Sequence, residues 1–122
     1  MTEDPRLTRL TAICAELPEA ERVDYPPHAQ FRVRKRTFAY FLDDHHGDGI
    51  VGVTCKAPGS QPQALIDANP GGRFYFPSYL GPRGWVALRL DRDDVDWTEV
   101  ADLVAESYLQ IAPKTLAKRV TG

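Results

Sequence analysis

Cysteine is scarce in this 122-residue chain: Cys14 and Cys55 stand far apart, with no Cys-x-x-Cys pair. That spacing excludes a zinc ribbon or a thioredoxin-like redox motif and leaves two reduced thiols that serve packing. Long apolar runs are missing as well. None approaches the roughly 20 residues of a membrane-spanning helix, so neither a span nor a membrane partner is expected. The opening Met1-Thr2-Glu3-Asp4-Pro5 is acidic and lacks the basic-then-apolar layout of a secretory signal, which points to the cytoplasm. Catalytic signatures are absent too. Ser78, Ser107 and Cys55 are nucleophile types and His28, His45 and His46 are bases, yet no Gly-x-Ser-x-Gly elbow joins any pair of them. Ser107, beside an apolar helical stripe, is expected to bond a carbonyl one turn back. Neither Gly71-Gly72 nor Gly81-x-x-Gly84 is a phosphate-binding glycine pattern. A non-enzymatic protein without catalytic residues, cofactor or metal is therefore expected. There is no internal repeat, low-complexity tract or interdomain linker, so residues 1–122 read as a single, monomeric domain.

What the chain does contain is a legible fold. Val86, Leu88 and Leu90 alternate with Trp85, Ala87 and Arg89, which places one apolar row on one face of a strand. A helix to cover that row follows at once. Asp96 is its N-cap, Glu99 the reciprocal capping partner, and Val95 and Val100 a hydrophobic staple. Val100, Leu103, Val104, Tyr108 and Ile111 then form one stripe, and Pro113 ends it. Further upstream, Asp4-Pro5 opens a first helix with Leu7, Leu10, Cys14 and Leu17 in register, closed by Pro18. Val23 and Tyr25 suggest a short strand that Pro26-Pro27 stops.

Phe31 and Val33 alternate with Arg32 and Arg34, and Phe38, Tyr40 and Leu42 alternate with Ala39 and Phe41, so two strands meet near Arg34-Lys35-Arg36. A tight turn there would lack the usual Asn-Gly or Asp-Gly, which leaves open a longer loop or one unbroken strand. Asp43 to Gly49 is a loop; its Asp43, Asp44, His45, His46 and Asp48 are ligand types, but adjacent histidines do not converge easily on one ion, and a solvated loop is the better account. Val51, Val53 and Cys55 mark the next strand. Ser60-Gln61-Pro62-Gln63 has the form of a capping box for a short helix, Phe74-Tyr75-Phe76 is an aromatic strand, and a second hairpin carries Tyr79 and Arg83 near its tip. Lys114 to Val120 adds one or two basic helical turns. The order is helix, three or four strands, helix, two strands, helix, with the helices packed on an antiparallel or mixed sheet. That is an α+β fold.

Several of these residues carry a family resemblance. Phe31-x-Val33, Lys35, Phe38-Ala39, Tyr79-Leu80-Gly81-x-x-Gly84-Trp85-Val86-x-Leu88, Asp96-Trp97, Ser107-Tyr108 and Ala112-Pro113-Lys114 together resemble the MmcQ/YjbR family of small bacterial proteins. The resemblance spans nearly the whole chain. It implies a secretion-chaperone-like fold of helix, three strands, helix, two strands, helix, and a DNA-binding role in which hairpins flank a helix as a double wing. The chain departs from the pattern where Arg34-Lys35-Arg36 replaces a small hairpin turn.

Two candidate sites follow. A formal net charge of −2 argues mildly against a bulk nucleic-acid binder, but the charge is unevenly spread. Arg32, Arg34, Lys35 and Arg36 lie together, whereas Asp91, Asp93, Asp94, Asp96, Glu99, Asp102 and Glu106 crowd a later stretch. Arg32, Arg34, Lys35, Arg36, Arg83, Lys114, Lys118 and Arg119 are the candidate contacts to DNA phosphates. The alternative is an aromatic groove of Tyr75, Tyr79 and Trp85 for a small ligand or an apolar peptide.

Overall fold

The computed structural model describes residues 3–121. Asp4 caps α1 (Pro5–Ala15), its side chain accepting from Arg6 N–H with Pro5 in the first turn. Four strands follow: β1 (Glu21–Tyr25), β2 (His28–Val33), β3 (Arg36–Asp43) and β4 (Val51–Lys56). Then come α2 (Gln61–Ala68), β5 (Phe74–Tyr75), β6 (Trp85–Arg89), α3 (Trp97–Ile111) and α4 (Lys114–Thr121). The strands form one antiparallel sheet in the order β1-β2-β3-β4-β6-β5. Four strands precede α2, and the basic segment after Pro113 is a helix of its own.

Register assigns the two faces. Phe31 pairs with Ala39, Ala39 with Cys55 and Cys55 with Val86; Ala29, Phe41, Val53 and Leu88 form the neighbouring row. All eight are buried, in one core with the apolar residues of α1 and α3. The helix that follows β6 does not settle mainly over β6, as its proximity in sequence suggests, but over β3 and β4. Cys14 and Cys55 are free and buried in this core, where desolvation pushes both thiols up. On the other face Tyr40, Thr54, Ala87 and Tyr75 make a row, and the Trp85 ring leans on Tyr40 at 5.6 Å. Gly52 has no room for a side chain here, since a Cβ would lie 2.9 Å from Tyr75 Oη and 3.1 Å from Leu88 O.

The alternation expected of Phe38, Tyr40 and Leu42 breaks at its first member. Phe31 pairs with Ala39 but Arg32 pairs with Thr37, so Phe38 is the extra residue of a β-bulge. The bulge turns Phe38 inward beside Ala39; both are fully buried, and Phe38 meets Tyr108 edge to face at 5.3 Å. Its carbonyl accepts from Ser107 Oγ at 2.6 Å, and Ser107 Oγ in turn accepts from Lys56 N–H at 3.0 Å. Ser107 therefore bonds across two strands rather than back along its own helix. Gln110 Nε2 donates to Lys56 O at 2.9 Å, so one turn of α3 holds both backbone groups of Lys56.

Two expected caps are corrected in part. Asp96 accepts from Thr98 and Glu99 N–H as an N-cap should, and Val100 joins the core while the partly buried Val95 packs against it. The Glu99 carboxylate, however, turns to the Arg73 guanidinium, with one oxygen at 3.0 Å, instead of returning to the cap. Ser60 makes no side-chain capping bond, and Gln63 donates to Asp67 at 2.8 Å instead. A proline at the second helical position of α2 and an exposed, solvated end leave little for Ser60 to satisfy.

Ser107→Ala should lower the stability to urea unfolding by about 2 kcal/mol, because it strands a buried carbonyl and N–H together. A change below about 0.5 kcal/mol would mean that water serves both groups equally well.

Candidate nucleic-acid interface

The β2–β3 connection is a two-residue turn. Val33 pairs with Arg36, and the intervening Arg34 and Lys35 have φ of 50° and 66°. Left-handed backbone at both central positions is the geometry that matches strand twist, and it is normally given to Asn-Gly. The chain adopts it with two long cationic residues, which carry the strain of a Cβ in that region. Both are exposed at the tip.

From the row Ala39–Cys55–Val86, counting outward along β3 and β6 brings Arg36 and Arg83 to the same end of the sheet. Arg83 sits in the Gly81–Arg83 turn, closed by Gly84 in a left-handed conformation. Arg36 Nη1 donates to Ile111 O at 3.3 Å, which places the C-terminus of α3 at this end too. α4 follows directly, packed on α3, with Leu116 buried and Lys114, Lys118 and Arg119 exposed. Lys56, half-buried at the end of β4, joins the same region.

The opposite end is acidic. Asp43 pairs with Val51 there, Leu90 N–H donates to Val51 O, and residues 91–96 lead from that point into the N-terminus of α3. A cavity of about 290 Å³ opens at this end, with Glu3, Asp4, Arg22, Asp24, His28 and Asp43 among its lining. α3 thus runs from acidic to basic surroundings, the arrangement that its own macrodipole favours.

Not every cation at the hairpin end is unpaired. Arg34 makes a two-pronged contact with Glu19, at 2.7 and 2.9 Å. Arg32 pairs with Glu21 at 3.1 Å, and its Nε is buried without a partner. The Arg34 guanidinium holds the Glu19 carboxyl below its ordinary range, with a smaller contribution from Arg119. Glu19 itself has a φ of 58° and follows Pro18, whose carbonyl accepts from Tyr108 Oη at 2.7 Å. Neither Glu19 nor Lys56 was named from the sequence. Helical and strand periodicity say nothing about which turn folds against which.

The aromatic candidates part company. Trp85 is 9% exposed and spent on Tyr40. Tyr75 lies half-buried over Gly52, where desolvation pushes its hydroxyl up to about 12. Tyr79 is 78% exposed, left-handed, and edge-on to His46 at 5.3 Å. It ends a ring series in which His46 lies 4.0 Å from His45 and His45 lies 5.3 Å from His28. Asp43 N–H donates to His28 Nδ1 at 3.1 Å, which needs that nitrogen bare of a proton.

Comparison with known proteins places the chain. The family model described as YjbR matches residues 15–110. The chain belongs to the YjbR family. No curated protein matches it. Among solved structures, it is similar to the Deinococcus radiodurans protein DR2400, which carries a DUF419 domain, with a TM-score of 0.72 and 22% identity over 98% of this chain and 92% of that one. It is also similar to a protein from Pseudomonas syringae, with a TM-score of 0.62 and 13% identity over 84% of this chain and 94% of that one. At these identities the two structures speak for the YjbR fold alone.

Two outcomes follow from this geometry. Lys35→Gly relieves one left-handed side chain and should raise the thermal midpoint by a few degrees, the equivalent of about 1 kcal/mol. Acidification should act in two stages. Burial, then the neighbouring His46 and His28, hold His45 below its ordinary 6.5, so the unfolded chain takes up that proton first and stability falls as pH drops through 6.5. Glu3, Asp4, Glu19 and Asp91 are held low mainly by arginine partners, so their contribution is present above their ordinary range and lost only on further acidification. His45→Gln should remove the first decline in a pH series of thermal melts and leave the second.

Proposed function

We propose that this YjbR-family chain is a non-enzymatic DNA-binding protein that grips backbone phosphates with its hairpin end and reads no base sequence. The observation that carries this reading is the convergence of three separate segments, the Arg34-Lys35 tip with Arg36, the Arg83 turn, and α4 with Lys114, Lys118 and Arg119, at the end of the sheet remote from the acidic residues 91–96. Lys35, Arg83, Lys114, Lys118 and Arg119 are exposed, and flexible cations of this kind gain affinity by releasing condensed counterions from the duplex. They would fix position on the backbone and carry no sequence information. The acidic end, pointing away, would keep the protein from lying flat along the polymer.

The aromatic alternative has less in its favour. Trp85 offers little surface, and Tyr79 is engaged with His46.

The test is binding to random-sequence duplex by fluorescence anisotropy across a salt series. With roughly four phosphate contacts, affinity should fall roughly 100-fold between about 50 and 200 mM salt. Replacing Arg34, Lys35 and Arg36 together by Glu should abolish binding. No binding at low salt, or an unchanged affinity in the triple variant, would overturn the reading.

A further inference from the structure

Three features meet at one corner of the hairpin end. Arg34 is clamped by Glu19 through both its Nε and Nη2, the fork-on-carboxylate geometry that a phosphate also satisfies. Glu19, Arg34 and Lys35 are three of the six non-glycine residues with positive φ among the described residues, so the backbone is strained on both sides of the ion pair. The turn that carries Glu19 is pinned to α3 through Tyr108 Oη and Pro18 O at 2.7 Å, and Arg36, next to the tip, is pinned to the end of the same helix. Both partners of the clamp are therefore held by α3, and the ion pair does not have to hold the two turns together. An exposed ion pair contributes little to stability. A carboxylate placed this way has a different consequence: it fills the fork of the arginine at the hairpin tip.

We propose that Glu19 is the displaceable resting occupant of a phosphate-binding site, so that Arg34, with Lys35 beside it, takes a nucleic-acid backbone phosphate in the position the carboxylate now holds. The inference rests on the DNA-binding reading and adds to it a built-in competitor. The charge of Arg119 also bears on Glu19 and on the Tyr108 hydroxyl, though less than that of Arg34 on Glu19. Exchange is balanced in charge. A phosphate arriving at the fork releases Glu19 to water, where an exposed carboxylate is well solvated, and the anion keeps the same two guanidinium donors. The cost is the attraction that Glu19 already enjoys, and the result is weaker and more salt-sensitive binding than the cation count alone suggests.

Glu19→Gln and Glu21→Gln test the idea together, because each removes one negative charge from the same region while only the first frees Arg34. On random-sequence duplex at low salt, Glu19→Gln should tighten binding about fivefold and steepen the salt dependence by about one phosphate contact. Glu21→Gln should do markedly less, and Arg34→Gln added to Glu19→Gln should cancel the gain. Equal effects of the two single variants, or a gain that survives Arg34→Gln, would overturn the inference while leaving the DNA-binding reading intact. If no variant binds duplex, that reading falls, and inorganic pyrophosphate followed through the Arg34 Nε–H resonance decides the site by itself. A shift in both chains, reached at lower pyrophosphate in Glu19→Gln than in the parent, supports it, and no shift in either overturns it. Thermal melts of each variant confirm that the fold is retained.

Discussion

The hydroxyl of Ser107 stands between two strands and a helix, and the hairpin end is shaped around it. A bulge at Phe38 leaves the β3 carbonyl without a strand partner, and Lys56 N–H lies across from it. A serine on α3 is small enough to enter the gap and can donate and accept in one position. Its neighbour Tyr108 then packs on Phe38 and reaches Pro18, while Gln110 takes Lys56 O and Ile111 O receives Arg36. Two turns and the end of a strand are thus located by the last two turns of one helix. Apolar burial holds α3 on the sheet; these polar contacts set its depth and rotation.

Positive-φ side chains fall into two groups that mark the two ends. Glu19, Arg34 and Lys35 lie at the hairpin end, and Asp44, His46 and Tyr79 lie around the stacked histidines. Such conformations persist only where surrounding contacts over-determine them. At the first group those contacts are the α3 tethers. At the second they are ring packing and the bond from Asp43 N–H to His28.

How far these features could be read from the chain depended on the range of the interaction. Period-two and period-3.6 patterns located the strand at Val86 and the stripe from Val100 to Ile111, because each is a local rule repeated over many residues. Asp96 announced its helix for the same reason. The bulge at Phe38 did not announce itself, since an inserted residue leaves alternation intact on both sides and only shifts its phase. Ser107 looked like a residue bonding along its own helix, because its true partners lie 51 and 69 positions away. The cations of the hairpin end were visible as a cluster in the sequence; the carboxylates paired with them were not, because Glu19 reaches Arg34 only once two unrelated turns have been folded together.

The course of α3 from an acidic to a basic environment also bears on what happens before any contact forms. Opposed charges some twenty ångströms apart, the length of a helix of this size, give the molecule a permanent moment along that axis. In the field of a polyanion such a moment exerts a torque, so the molecule rotates while it is still diffusing. Under the proposed function, the Arg34 corner would already face a duplex within about a Debye length, and fewer collisions would be wasted.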